Sequence, residues 1–350
     1  MSTEKLVSVV MAVYNTPEEY LRGAIASILN QTYANFEFII VDDCSGEETR
    51  AILREYAERD GRVRLLFNTE NCGLAKNLNR GIREAKGEYI ARMDSDDLSM
   101  PTRFEKQAKF LDSHPGVDVL GTNCLLLKDG TLSKPRTFEN EPWQIQGRLL
   151  FGCQGILHPS IMMRRTLFAE EGLWYDEEFR IAQDFELWTR VGLRHKIYVL
   201  NEALFHYRIS EVQVSTAKRD KQVEFRTRVL LRELGYLGIE PTDEEKTLHV
   251  QLAHGKQCRS PRALFDWCER LLDANREKEL YDPVSFEYYL RKRQLDSALH
   301  ILTHKGPSPA NVAGVLRAAR LASASKRAFQ RKSVSSGSNY RDAMRGKREA

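Results

Sequence analysis

The 350 residues are 42% apolar and 29% charged, with a formal net charge of +4. That balance excludes a wholly disordered chain and gives enough length for two ordinary domains. The charge is uneven: residues 317–350 hold ten Lys/Arg against Asp342 and Glu349, so the remainder sums to −4 and is not a nucleic-acid binder by charge. The longest charge-free stretches, residues 6–17 and 151–163, fall short of the roughly 18 apolar residues that span a bilayer. Six cysteines without a C-x-x-C pair read as reduced thiols, and eight histidines lack zinc-ligand spacing, so any metal is expected on oxygen. Met1-Ser2-Thr3-Glu4-Lys5 has no secretory leader pattern, and a cytoplasmic location is expected.

Residues 6–13 are nearly all apolar and rich in β-branched side chains, the pattern of a parallel strand covered on both faces. Thr16-Pro17-Glu18-Glu19 then announces a helix, with a capping residue, a proline and a glutamate three after the cap. The alternation repeats: strand 36–41, helix 47–59, strand 63–67, helix 74–85, strand 89–93. Such an order predicts an open, mostly parallel sheet with helices on both faces. Ligands of such sheets bind beyond the carboxyl ends of the strands. The loops to watch are therefore 14–16, 42–45, 68–76 and 94–97.

Asp94-Ser95-Asp96-Asp97 crowds three carboxylates at one strand end. Oxygen-only ligands at this spacing suit Mg²⁺ or Mn²⁺ holding a diphosphate. The alternative is a solvated acidic turn, with Asp97 or Ser99 capping the next helix. Asp43 reads equally well as a cap for the helix after the second strand. A dinucleotide-binding reading fails, because neither G-x-G-x-x-G nor a P-loop occurs.

After a helix at 103–114, mixed strands are expected at 117–127 and 131–138, a helix at 142–150, strands at 160–163 and 196–200, and a helix at 184–193 between them. From residue 218 the pattern is helical, with breaks at 235–241, 255–261, 282–283 and 306–309. The expected organisation is an α/β domain over 1–217, a helical region over 218–322 and a basic, disordered tail over 323–350.

Ser8-Val9-Val10-Met11-Ala12-Val13-Tyr14-Asn15, Gln31-Thr32-Tyr33, Ile40-Val41-Asp42-Asp43-Cys44-Ser45, Asn71-Cys72-Gly73-Leu74-Ala75-Lys76-Asn77-Leu78-Asn79 and Met93-Asp94-Ser95-Asp96-Asp97 occur in that order. Together they resemble the signature of family 2 glycosyltransferases of the GT-A (nucleotide-diphospho-sugar transferase) fold. The resemblance covers about residues 5–215. His158-Pro159-Ser160-Ile161-Met162-Met163 and Ala182-Gln183-Asp184-Phe185-Glu186-Leu187-Trp188 resemble that family's acceptor-side strand and catalytic acidic segment.

The resemblance implies an inverting, metal-dependent enzyme moving one sugar from a UDP-sugar to a glycan acceptor, with Mn²⁺ or Mg²⁺ as cofactor. By that resemblance Ala12, Tyr14, Asn15, Asp42, Lys76 and Asp94 contact the nucleotide, Asp96 the metal, and Asp184 is the general base. Arg208, His158 and Trp188 are candidate diphosphate or acceptor contacts. Two departures stand out: Gln183 where the family usually has glutamate, and Ser210 where many members have histidine.

The implied setting is bacterial polysaccharide or O-antigen assembly on a polyprenyl-diphosphate-linked acceptor. The basic tail would then touch the inner face of the membrane, and no nucleic-acid partner is expected. A nucleotidyltransferase on a similar sheet and a non-catalytic nucleotide-sugar scaffold remain the alternatives.

Overall fold

A computed structural model describes residues 4–136, 141–152, 155–209, 219–254 and 260–345. The chain divides into two units, one of 1–142 and 153–226, the other of 143–152 and 227–350.

The first unit is built on a nine-stranded mixed sheet. Its elements begin β1 (Val7–Val13), α1 (Glu18–Leu29), β2 (Phe36–Asp42), α2 (Glu47–Arg59), β3 (Val63–Phe67), α3 (Leu74–Arg83) and β4 (Tyr89–Asp94). They continue with β5 (Leu98–Ser99), α4 (Arg103–Ser113), β6 (Val119–Lys128) and β7 (Thr131–Leu132). After α5 (Pro142–Arg148) follow β8 (Met162–Arg164), α6 (Thr166–Ala169), α7 (Gln183–Gly192) and β9 (Ile197–Arg208). The strand order is β3-β2-β1-β4-β8-β6-β9-β5, with β7 paired to β6. β1 runs parallel to β2 and β4, and β2 to β3. Burial on both faces explains why these strands read as continuous apolar runs.

Close packing of helix on sheet is visible at Gly81 of α3. A Cβ built there would lie 2.5 Å from Val10 Cγ1, so only glycine lets α3 approach β1 this closely. Gln31, in the Gln-Thr-Tyr motif, is buried and acts as a clamp. Its Nε2 donates to the Met100 carbonyl at 2.8 Å, and its Oε1 accepts the Phe104 N–H at 3.1 Å. Gln31 thereby satisfies the open end of α4, a task neither Asp97 nor Ser99 performs.

The second unit holds α8 (Arg219–Tyr236, begun in the first unit), α9 (Asp243–His254), α10 (Pro261–Lys278), α11 (Pro283–Lys305) and α12 (Pro309–Arg345). The helix breaks fall where Gly and Pro predict them. Ser260 and Asp282 cap α10 and α11, each followed by proline at the first helical position. No helix among the described residues is long and apolar enough to cross a membrane.

Several expectations require correction. Residues 323–345, expected as a separate tail, are helical and continue α12. The composition is polar, yet Ala318, Ser325 and Phe329 recur on one buried face. Phe329 packs against Trp143 at 4.9 Å and Tyr288 at 4.2 Å between ring centroids. Residues 143–152 belong to the helical unit although the chain returns to the sheet afterwards. The strand expected at 160–163 is a 3-10 turn, His158–Ser160, followed by the short β8. β9 runs through Arg208, well past the expected residue 200.

Phe329→Ala is expected to lower stability by about 3 kcal/mol, as a truncated buried aromatic does. The checks are a lower urea midpoint and faster tryptic cleavage after Arg327 and Arg331.

Candidate active site

The parallel register sets Val13 beside Asp42 and Ala12 beside Asp94. Three strands therefore deliver their carboxyl ends side by side, and the loops beyond them are tied together. Asn15 adopts a left-handed φ of 47°. Its Oδ1 accepts the Gly46 N–H at 2.8 Å, and its own N–H donates to Ser45 Oγ at 3.0 Å. The hydroxyls of Thr16 and Ser95 meet at 2.6 Å, joining the first loop to the fourth.

Asp43 does not cap α2, whose N-cap position is Gly46. Its carboxylate reaches across to the third loop, accepting from Cys72 N–H at 2.7 Å, Gly73 N–H at 2.9 Å and Asn68 Nδ2 at 2.9 Å. Burial acts to raise the Asp43 carboxyl, but the hydrogen bonds from Asn77, Cys72, Asn68 and Gly73 outweigh it and hold it below its ordinary 3.8.

Among the expected nucleotide contacts, Tyr14, Asn15 and Lys76 are exposed and Ala12 is half-buried. Asp42 is buried, and its carboxylate accepts the Ser45 N–H at 3.1 Å and Arg50 Nε at 2.8 Å.

At the end of β4, carboxylate oxygens of Asp94, Asp96 and Asp97 all lie within 4.8 Å of one another. Burial, then the charge of Asp94, pushes Asp96 up to about 6, and the same causes raise Asp97 well above its ordinary value. Asp97 Oδ1 accepts the Arg208 N–H at 2.7 Å, while its buried Oδ2 has no protein partner. Arg208 Nε donates to the Asp96 carbonyl at 2.7 Å, and its guanidinium lies over the Tyr20 ring at 3.9 Å. Three mutually repelling carboxylates, one oxygen of them unpartnered, form a donor set that fits a hard divalent cation.

Arg92, buried in β4, forms an ion pair with Asp94. Burial acts to lower its pKa; the Asp94 carboxylate more than compensates and raises it. Its field also reaches Asp184, Tyr175 and His158. Arg103 is wholly buried nearby, donating to the Pro159 carbonyl at 2.9 Å and the Arg92 carbonyl at 3.2 Å. Burial, then the charge of Arg92, brings Arg103 down to about 9.

Asp184 follows the N-cap position of α7 by two residues. That position is Ala182, held left-handed at φ 61°, and Asp184 lies in the first turn of α7. Burial raises its carboxyl above the ordinary value, opposed by the Phe185 N–H and the charges of Arg92 and Arg226. His158 and Trp188, expected as candidate diphosphate or acceptor contacts, are both buried. His158 is buried with Nε2 2.7 Å from the Tyr175 hydroxyl, and Trp188 is 0% exposed, edge-on to His158 at 5.9 Å. Burial, then Arg92, holds His158 well below its usual range and hence neutral. Ser210 lies outside the described residues.

Sequence reasoning missed Arg92, Tyr175 and Arg50. Only Arg92 left a signal, a lone guanidinium inside an otherwise apolar parallel strand.

Asp43→Asn is expected to destabilise the protein by about 2 kcal/mol at pH 7, the worth of hydrogen bonds to a charged acceptor. Because the folded value is depressed, this stability is present above pH 3.8 and is lost as pH falls through the lower folded value. Urea titrations of wild type and variant at pH 7 and about pH 3 should converge on the acid side.

The family model described as Glycosyl transferase family 2 matches residues 8–171. The chain is 34% identical over 227 residues to an uncharacterized glycosyltransferase of Methanocaldococcus jannaschii, covering 63% of this chain and 78% of that protein. It is 36% identical over 213 residues to EpsE of Bacillus subtilis, named a glycosyltransferase, covering 59% and 74%. TuaG of Bacillus subtilis, named for teichuronic acid biosynthesis, is 30% identical over 214 residues, covering 61% and 82%. Among solved structures, S. aureus TarS 1-349 in complex with UDP-GlcNAc superposes with a TM-score of 0.58 at 20% identity, covering 92% of this chain and 91% of that one. The chain spans 55% of a longer TarS chain that it also matches. The backbone likeness extends over both units, and the sequence likeness over most of three relatives' length: the chain belongs to glycosyltransferase family 2 and has the GT-A fold.

Proposed function

We propose that this enzyme transfers one sugar from a UDP-sugar to a hydroxyl of a glycan acceptor in a single inverting displacement. The observation that carries this reading is the neighbourhood of Arg92. Asp94 of the acidic turn and Asp184 of α7 both lie within its electrostatic reach, and Tyr175 lies within that of both carboxylates. A donor-side acidic turn and the half-buried Asp184 carboxylate thus share one charge network.

An attacking hydroxyl must lose its proton as it bonds to the anomeric carbon, and Asp184 is the residue assigned to take it. Burial raises Asp184 and makes it a stronger base than a surface aspartate, while the Phe185 N–H, Arg92 and Arg226 favour its ionised form. The bond to the departing diphosphate breaks with charge accumulating on phosphate oxygen. Asp96 would hold Mn²⁺ or Mg²⁺, which when bound neutralises such charge as a Lewis acid, with Asp94 beside it on the nucleotide side. Arg208, anchored on the Asp96 carbonyl, adds a permanent positive charge beside the same turn. Asp42 keeps acceptor capacity for a uracil N–H despite its bonds to Ser45 and Arg50, since a carboxylate offers about four lone-pair sites. Ala12, Tyr14, Asn15 and Lys76 complete the nucleotide side.

TarS structures carry UDP and UDP-GlcNAc, which supports a uridine donor. The teichuronic acid named for TuaG supports a role in polysaccharide assembly; a polyprenyl-diphosphate-linked acceptor at the membrane belongs to the same proposal.

The test is UDP release across a panel of UDP-sugars with Mn²⁺. Asp184→Asn is expected to lower kcat by on the order of 10²–10⁴ with little change in KM. Asp96→Ala is expected to abolish Mn²⁺ stimulation, and chelation should silence the wild type. Unchanged turnover in either variant overturns the mechanism. Activity should also fall on the acid side at a higher pH than an ordinary aspartate gives, because a raised carboxyl protonates earlier as pH drops. The part of that limb contributed by Asp184 should be missing from the residual activity of Asp184→Asn, leaving the part that Asp96 contributes.

A further inference from the structure

α12 presents two opposite faces. Inward, Ala318, Ser325 and Phe329 are buried, the Arg317 guanidinium lies over the Phe265 ring at 4.3 Å, and Lys332 pairs with Asp282. Outward, Leu316, Arg320, Ser323, Arg327, Arg331 and Val334 follow at spacings of four, three, four, four and three. At 3.6 residues per turn these six align in one stripe about 27 Å long, and all six are exposed. No Asp or Glu occurs between residues 309 and 341, so this span of the helix supplies no carboxylate to neutralise the three arginines of the stripe. The stripe is also bounded by Leu316, 66% exposed, and Val334, 74% exposed, more open than any other large apolar side chain among the described residues.

We propose that this stripe is a docking surface for an anionic lipid bilayer, on which α12 lies flat. Charge complementarity selects a polyanionic partner. The two exposed aliphatic ends favour lipid over nucleic acid, because Leu316 and Val334 gain by entering the headgroup–acyl boundary and gain nothing against a phosphate backbone. The straightness of the row matches a plane. This inference rests on no part of the catalytic reading.

The experiment is co-sedimentation of the whole protein with vesicles of phosphatidylcholine alone or mixed with phosphatidylglycerol. Binding is expected to the mixed vesicles only, and to weaken with salt. The reversal Arg320→Glu/Arg327→Glu/Arg331→Glu should weaken it at least a hundredfold, since each basic residue near the surface contributes roughly fivefold. A charge-matched reversal at exposed sites elsewhere, Arg59→Glu/Lys86→Glu/Lys109→Glu, should retain binding. Leu316→Ser/Val334→Ser should weaken binding without abolishing its salt dependence. Circular dichroism and melting verify that each variant is folded. Equal binding to neutral vesicles, equal loss in both charge reversals, or preference for duplex DNA with the serine variant unaffected would each overturn the proposal.

Discussion

One buried positive charge organises the first unit. Burial first, and then repulsion among three carboxylates at the end of one parallel strand, pushes two of them toward their neutral forms. Arg92, two residues before the first of them and 3% exposed, is the protein's own counter-charge. A guanidinium taken out of water is costly unless its partners are fixed. The sheet fixes them, because β1 lies between β2 and β4 in register, and the loop beyond β1 is bonded to those beyond its neighbours. The acidic turn is thus held with its repulsion only partly relieved, the condition in which a cation or a charged ligand gains most.

The alternation of strands and helices was legible because two-sided burial writes nearly uninterrupted apolar runs, and because Gly and Pro stand at the helix breaks. The end of β9 was not. Its pairing with β6 shifts register at Thr122 and Asn123, and Asn201 and Glu202 face solvent, so no alternation survives to be read. The helix over 323–345 is hidden in the sequence for a related reason: composition averages over a helix, whereas burial follows every third or fourth residue. Ala318, Ser325 and Phe329 are too few to change the average yet sufficient to fix a face.

For the site, the legible part was local. An acidic pair or triplet after an apolar run can be seen in a sequence; the partner of each acid cannot. Asp43 serves a loop near residue 72, Gln31 serves a helix beginning at 103, and Tyr175 meets His158 across a turn. These hydrogen bonds join segments that only the folded topology brings together. His158 and Trp188 carry the same lesson in reverse, since both adjoin motif residues and both are turned inward.

Residues 143–152 leave the sheet unit, join the helices and return. Trp143, Leu149, Leu150 and Phe151 emerge from the ribosome well before residues 227–345 exist. Leu149, Leu150 and Phe151 are all but inaccessible in the finished protein, so until the helices are made they are an exposed apolar segment in need of shielding. Nor can the sheet unit be excised cleanly with one cut. A chain stopped at 226 keeps the insert without its bed, and an evolutionary exchange of the helical half would have to replace two separate stretches together.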